Sequence, residues 1–140
     1  MPIRPKSIVQ FDWIYLVIIA LGIVGIALGW NETMSTVQVQ QMVARLGTAW
    51  VYVPLALGIA IQLLLWYFIA RRGSVVAKWI FVILTAIGVL FSAVKIATGG
   101  VASPISNVIE VTLLVLQVIA ISLLFRPDVR GWFGETVDAA

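Results

Sequence analysis

Apolar residues occur along this chain in four long runs that short polar segments separate. The runs lie at about 13–30, 49–70, 75–97 and 108–125. A helix needs roughly 20 apolar residues to cross a hydrocarbon core about 30 Å thick, and each run comes close to that length. The pattern therefore predicts an all-α polytopic membrane protein, a bundle of four transmembrane helices that forms a single membrane domain over residues 1–140.

Glycine, serine and proline mark the expected ends of these helices. Gly73 stands where a helix C-terminal glycine belongs, and Ser74 follows as the N-cap of the third span. Gly99 and Gly100 are expected to end the third span, and Pro127 to stop the fourth.

The segments outside the spans are short. In the first loop, residues 31–48, apolar residues recur at helical spacing, and Ser35 and Gln38 have the spacing of a capping box. We expect a short amphipathic helix there, on or near the outer surface. In the tail, residues 126–140, Trp132 and Phe133 are expected to rest at the membrane interface.

The positive charges predict the orientation of the bundle. Seven of the nine basic residues lie on the same side of the predicted bundle as the two chain ends, and the two exceptions are Arg45 and Lys95. The positive-inside rule therefore predicts that both termini are cytoplasmic. We expect a multi-pass protein of the cell inner membrane. An even number of spans requires both termini on one side, so the charges also support the span count.

Composition restricts the possible chemistry. Hydrophobic residues make up 62% of the chain and charged residues 11%, against roughly 45–50% and 25% in soluble domains. The chain contains neither cysteine nor histidine, which excludes disulfides, Cys/His zinc sites and a histidine base. Neither a catalytic set nor a phosphate-binding glycine loop is recognisable. We expect no enzyme activity, no cofactor, no metal and no nucleic-acid binding.

Polar side chains inside the spans are the residues on which a function within the membrane would depend. They form a candidate polar seam, which consists of Gln62, Thr85, Ser92, Lys95, Glu110 and Gln117. Gln62, Thr85 and Gln117 are expected near mid-membrane. Lys95 and Glu110 are expected near the outer boundary, where they should approach each other across the hairpin of the third and fourth spans.

Two interpretations of the seam are open. It lines a narrow polar pathway or pocket, or its amides and hydroxyls form hydrogen bonds between helices that contribute on the order of 0.6 kcal/mol each. Glu110 also has capping-box spacing from Asn107, and Lys95 has the length to reach the outer headgroups. No acid is expected at mid-membrane, which argues against a proton- or cation-coupled carrier.

Glycines form a second set of candidate residues, suited to close helix packing. The set consists of Gly22, Gly25, Gly29, Gly58 and Gly88, and Gly25 with Gly29 makes a GxxxG motif. Small residues allow helix backbones to approach closely where lipid removes the hydrophobic driving force. The sequence favours packing within the bundle, with a dimer interface as the alternative.

These observations favour a non-catalytic accessory or scaffold subunit that acts through helix contacts within the membrane. The expected partners are the lipid bilayer and either another membrane protein or further copies of the chain. The alternative is a small oligomeric channel or transporter around the seam. The four-span layout resembles that of small multidrug exporters and fluoride channels. However, the first span has no embedded glutamate, and the fluoride-channel pattern of polar and phenylalanine positions is absent.

Overall fold

The computed structural model describes residues 3–99 and 103–135, and 83% of these described residues are helical. Its α-helices are α1 (Lys6–Leu28), α2 (Trp30–Ser35), α3 (Val37–Leu46), α4 (Ala49–Ala70), α5 (Val75–Ala97) and α6 (Pro104–Leu124). A short 3₁₀ turn, Pro127–Val129, follows α6. Helices α1, α4, α5 and α6 are long and apolar enough to cross a membrane. The predicted four-helix membrane bundle is confirmed.

The turn between α4 and α5 forms as the sequence predicts, and both helices have the predicted bounds. Gly73 adopts a left-handed φ of +59°, which glycine adopts without a steric penalty. The Ser74 hydroxyl oxygen accepts a hydrogen bond from the Ala77 N–H at 3.3 Å and so caps α5. At the other end of α5, Gly99 has a φ of +68°, whereas Gly100 lies outside the described residues.

The predicted starts of the first and last spans were wrong. Helix α1 begins at Lys6 rather than near residue 13, so it includes Asp12. A charged residue is tolerated there because the Trp66 indole N–H donates to Asp12 and Arg4 lies 3.3 Å from the same carboxylate. Helix α6 begins at Pro104, four residues before the predicted start, because Ser103 is its N-cap.

The first loop contains the expected amphipathic helix, α3, which packs against α4 and ends at Leu46, with Gly47 as its C-cap. The predicted capping box at Ser35 is wrong. The N-cap of α3 is Thr36, and it makes no side-chain capping hydrogen bond. The Ser35 hydroxyl instead donates backwards to the Glu32 carbonyl oxygen at 2.7 Å, in the last turn of α2.

The hydrophobic core lies at one end of the bundle. We call this the terminal end, because α1 begins there and α6 ends there; the opposite end is the loop end. Phe11, Tyr15 and Phe81 form its centre, with ring centroids 5.3 to 5.8 Å apart. The other buried apolar residues around them are Ile8, Ile18, Leu65, Ile69, Ala77, Ala120, Leu123, Leu124, Val129 and Phe133. Side chains thus fill the terminal half of the bundle.

The segment after α6 folds back against the terminal end, which corrects the expectation that its aromatic residues rest at the interface. Phe133 is buried in the core, and the Trp132 indole N–H donates to the Ile69 carbonyl oxygen at 3.0 Å. Carbonyl groups in the last turn of a helix lack an intrahelical partner, and Trp132 supplies one for α4. Asp128 accepts hydrogen bonds from the N–H and hydroxyl of Ser7, at 3.3 and 3.0 Å.

Candidate functional site

Two cavities lie in the half of the bundle toward the loop end, on either side of the α1–α6 contact. Helices α1 and α6 make the most extensive contact in the bundle, and they separate the cavities. The first cavity, of about 440 Å³, lies between α1, α5 and α6. The second, of about 270 Å³, lies between α1, α4 and α6. Gly22 and Gln117 line both of them.

Polar side chains line the first cavity from its mouth to its inner end. They are Glu32, Thr33, Ser92, Lys95, Ser106, Glu110 and Gln117. The structure therefore brings four of the six seam residues together around one space. Glu32, Thr33 and Ser106 were missed by the sequence reasoning. The first two belong to the short helix α2, and only its position over the bundle brings them to the cavity.

Lys95 and Glu110 form the predicted ion pair at the mouth of this cavity. Lys95 Nζ lies 3.1 Å from Glu110 Oε2. The Lys95 side chain is 52% exposed and that of Glu110 is 19% exposed, so the pair is partly solvated. A pair in this setting contributes about 1 kcal/mol or less. The capping-box interpretation of Glu110 is wrong, because Asn107 and Glu110 both lie inside α6.

Gln62 and Thr85 are separated from the other seam residues. Gln62 lines the second cavity and accepts a hydrogen bond from the Tyr15 hydroxyl, with Oε1 at 2.5 Å and the backbone oxygen at 2.9 Å. Thr85 is buried and lines neither cavity. Phe11 and Tyr15 lie one helical turn apart and therefore share a face of α1. This spacing is the sequence signal from which the aromatic core could have been predicted. The seam is thus divided rather than continuous.

Gln117 is the one polar residue among the described residues that line both cavities. Among the described residues, its amide makes no hydrogen bond to another side chain, so it remains available to a ligand or to water. Beyond it, the aromatic core occupies the terminal half of the bundle. A single copy of the chain therefore presents a site that opens toward the loop end, with no continuous polar path past the core among its described residues.

The predicted packing glycines differ in their surroundings. A Cβ added at Gly25 would lie 3.3 Å from Cγ2 of Ile109, so Gly25 allows α1 and α6 to approach closely. Gly29 follows the last residue of α1, and a Cβ there would lie 3.3 Å from the Gly25 carbonyl oxygen. Among the described residues, and apart from the chain neighbours and the backbone of the same helix, no atom lies within 4 Å of the Cβ positions of Gly22, Gly58 and Gly88. Within one chain, these three glycines are not at close helix contacts.

The described residues contain no cluster of three or more acidic, histidine or cysteine side chains that could hold a metal ion.

In comparisons with known proteins, no family, no curated protein and no solved structure matched this chain.

Proposed function

We propose that the protein is a non-catalytic membrane subunit that acts by packing against helices of another membrane protein. The observation that carries the proposal is the open space beside Gly58 on α4 and Gly88 on α5. Both residues are exposed in the single chain and line the second and first cavities, respectively. Small residues in transmembrane helices favour close helix approach, and within the described part of the chain no other helix is in close contact with these two.

The lateral surface of the bundle supports the same proposal. Large apolar side chains are exposed on all four long helices, among them Leu57, Leu90, Phe91 and Val118. Lipid can cover such a surface, so exposure alone does not indicate a partner. The two glycine-lined cavities distinguish the surface of this bundle from a uniform lipid-facing surface. Protruding side chains of a partner helix can fit into them.

Substitution of Gly88 by leucine tests this function. The position has room for a side chain, so Gly88→Leu should fold normally yet block a partner helix. Ala86→Leu is the matched control, since Ala86 is exposed on the same helix but lines neither cavity. Mass spectrometry after mild-detergent purification should find a stoichiometric membrane partner with the native chain and with Ala86→Leu, and lose it with Gly88→Leu. Equal recovery of the partner with both variants would contradict the proposal.

A small oligomeric channel or transporter is the second candidate. It is favoured by the polar lining of the first cavity and by the Gln117 side chain, whose amide makes no side-chain hydrogen bond within the described residues. A pathway would then have to continue between copies of the chain, since the aromatic core fills the terminal half of each copy. Purified protein that forms only homo-oligomers and passes ions or solutes in liposomes, with loss of flux in Gln117→Leu, would replace the accessory proposal by this one.

We also propose that the terminal end faces the cytoplasm of a bacterial-type inner membrane. The basic residues at that end support this orientation through the positive-inside rule. The chain has no natural cysteine, so single cysteines can be labelled without background. A membrane-impermeant maleimide should label the exposed position Gln41→Cys in intact cells, and the exposed position Gly131→Cys only after permeabilisation. The opposite labelling pattern would reverse the orientation.

A further inference from the structure

A third cavity lies at the terminal end, apart from the two at the loop end. It has a volume of about 350 Å³ and lies between three chain segments: the residues before α1, the α4–α5 turn and the segment after α6. Arg71 and Arg72 line it from the turn, Asp128 and Trp132 from the last segment, and Ile3 from the first. Neither the packing role of the bundle nor the polar seam accounts for this cavity.

The charge in this cavity is positive. Both oxygens of Asp128 accept hydrogen bonds from Ser7 in the first turn of α1, so its charge is partly offset by the positive end of that helix. Neither Arg71 nor Arg72 lies within 4.0 Å of an acidic group among the described residues, whereas Arg4 and Lys78 each have such a partner. The Arg71 guanidinium lies 5.6 Å from the centroid of the Trp66 ring, which holds it at the wall.

We propose that this cavity binds the phosphate of an anionic phospholipid headgroup. The guanidinium groups of Arg71 and Arg72 line one cavity, and guanidinium groups are planar donors that bind phosphate oxygens. The cavity lies where α4 ends and α5 begins, at the level at which a lipid headgroup meets the end of a transmembrane helix. Ile3, at its wall, is 94% exposed and offers an apolar surface to the start of an acyl chain. Basic pockets at the ends of transmembrane helices bind anionic headgroups by this combination.

Native mass spectrometry of the full chain in neutral detergent tests the proposal. The native protein should retain one phosphatidylglycerol more tightly than phosphatidylcholine of the same chain length. At a contribution of about 1 kcal/mol per basic residue, Arg71→Gln with Arg72→Gln should weaken phosphatidylglycerol binding roughly 30-fold. Arg72→Gln alone, which removes no described contact, should weaken it roughly fivefold, and this variant keeps the test valid if loss of Arg71 disturbs the fold.

The double variant Arg126→Gln with Arg130→Gln is the matched control. It removes the same charge from two exposed arginines at the terminal end that do not line the cavity, so headgroup binding should remain close to that of the native protein. An equal loss in both double variants would overturn the proposal, because general basicity would then explain the binding. Equal retention of phosphatidylcholine would overturn it too. Displacement of the lipid by inorganic phosphate at equal concentration would show a free-phosphate site instead.

Discussion

Substitution of Gly73 by alanine is expected to destabilise the protein by about 3 kcal/mol, through backbone strain and loss of the docked last segment. Gly73 has a φ of +59°, and a left-handed conformation costs a residue with a side chain about 1–2 kcal/mol. A Cβ at this position would also overlap the carbonyl oxygen of Trp132. The backbone of the last segment would have to move away, and with it Phe133, which is buried in the core. Equilibrium unfolding in mixed micelles measures the change.

Two other glycines provide the controls. Gly99 and Gly134 have φ values of +68° and +65°, and, apart from their chain neighbours, no atom of residues 3–99 and 103–135 lies within 4 Å of a Cβ added at either position. Alanine there should therefore cost only the backbone strain, on the order of 1 kcal/mol. If Gly73→Ala costs no more than Gly99→Ala and Gly134→Ala, the contact between the turn and Trp132 does not contribute to stability.

Removal of the charge of Glu135 is expected to destabilise the protein by about 2 kcal/mol, because it leaves the Lys78 ammonium group without its acidic partner. The Lys78 side chain is 3% exposed, and its Nζ lies 2.9 Å from Glu135 Oε1. Its other close neighbours are the rings of Phe125 and Phe133, at 4.6 and 4.9 Å from the ring centroids. Breaking a fully buried pair costs about 3–5 kcal/mol. The smaller value applies because Glu135 is partly solvated, with 36% of its side chain exposed.

A double substitution separates the pair from other effects of the change. Lys78→Met in the Glu135→Gln background removes the unpaired charge and should recover most of the lost stability, since an apolar side chain suits the phenylalanine surroundings. Glu110→Gln is the matched control, because it makes the same change beside a half-exposed lysine and should cost about 1 kcal/mol or less. A similar loss of stability in Glu135→Gln and Glu110→Gln would mean that the burial of Lys78 does not increase the contribution of its ion pair to stability.

The sequence determined the number of spans and the course of α4 and α5 because their signals are local. A run of apolar residues of sufficient length must cross the membrane as a helix, since every backbone polar group in lipid must be satisfied internally. Gly73 and Ser74 end one helix and begin the next through their own backbone and hydroxyl groups. The Lys95–Glu110 pair was also predictable, because the connection between their helices is short and both residues lie near it.

Several of the predictions that failed depended on contacts between distant parts of the chain. The start of α1 depends on how Asp12 is accommodated, and Trp66 contributes to this from another helix by donating a hydrogen bond to its carboxylate. The start of α6 is different, because Ser103 and Pro104 signal it locally. The prediction placed the start later because the polar residues Asn107 and Glu110 resembled the beginning of a helix. The burial of Lys78, about which the sequence made no prediction, depends on the last segment, because its partner Glu135 lies 57 residues farther along the chain.

For the candidate sites, the sequence by itself determined which residues share a helix face, since that follows from the 3.6-residue period. Only the tertiary structure decided which faces meet. The extensive α1–α6 contact divides the polar seam, so that Gln62 faces one cavity and Ser92 faces the other. The last segment is fixed in the same way. The Trp132 indole donates to a carbonyl oxygen at the end of α4, and the Trp132 backbone lies where Gly73 leaves room for it. The residues next to Trp132 in the sequence indicate neither contact.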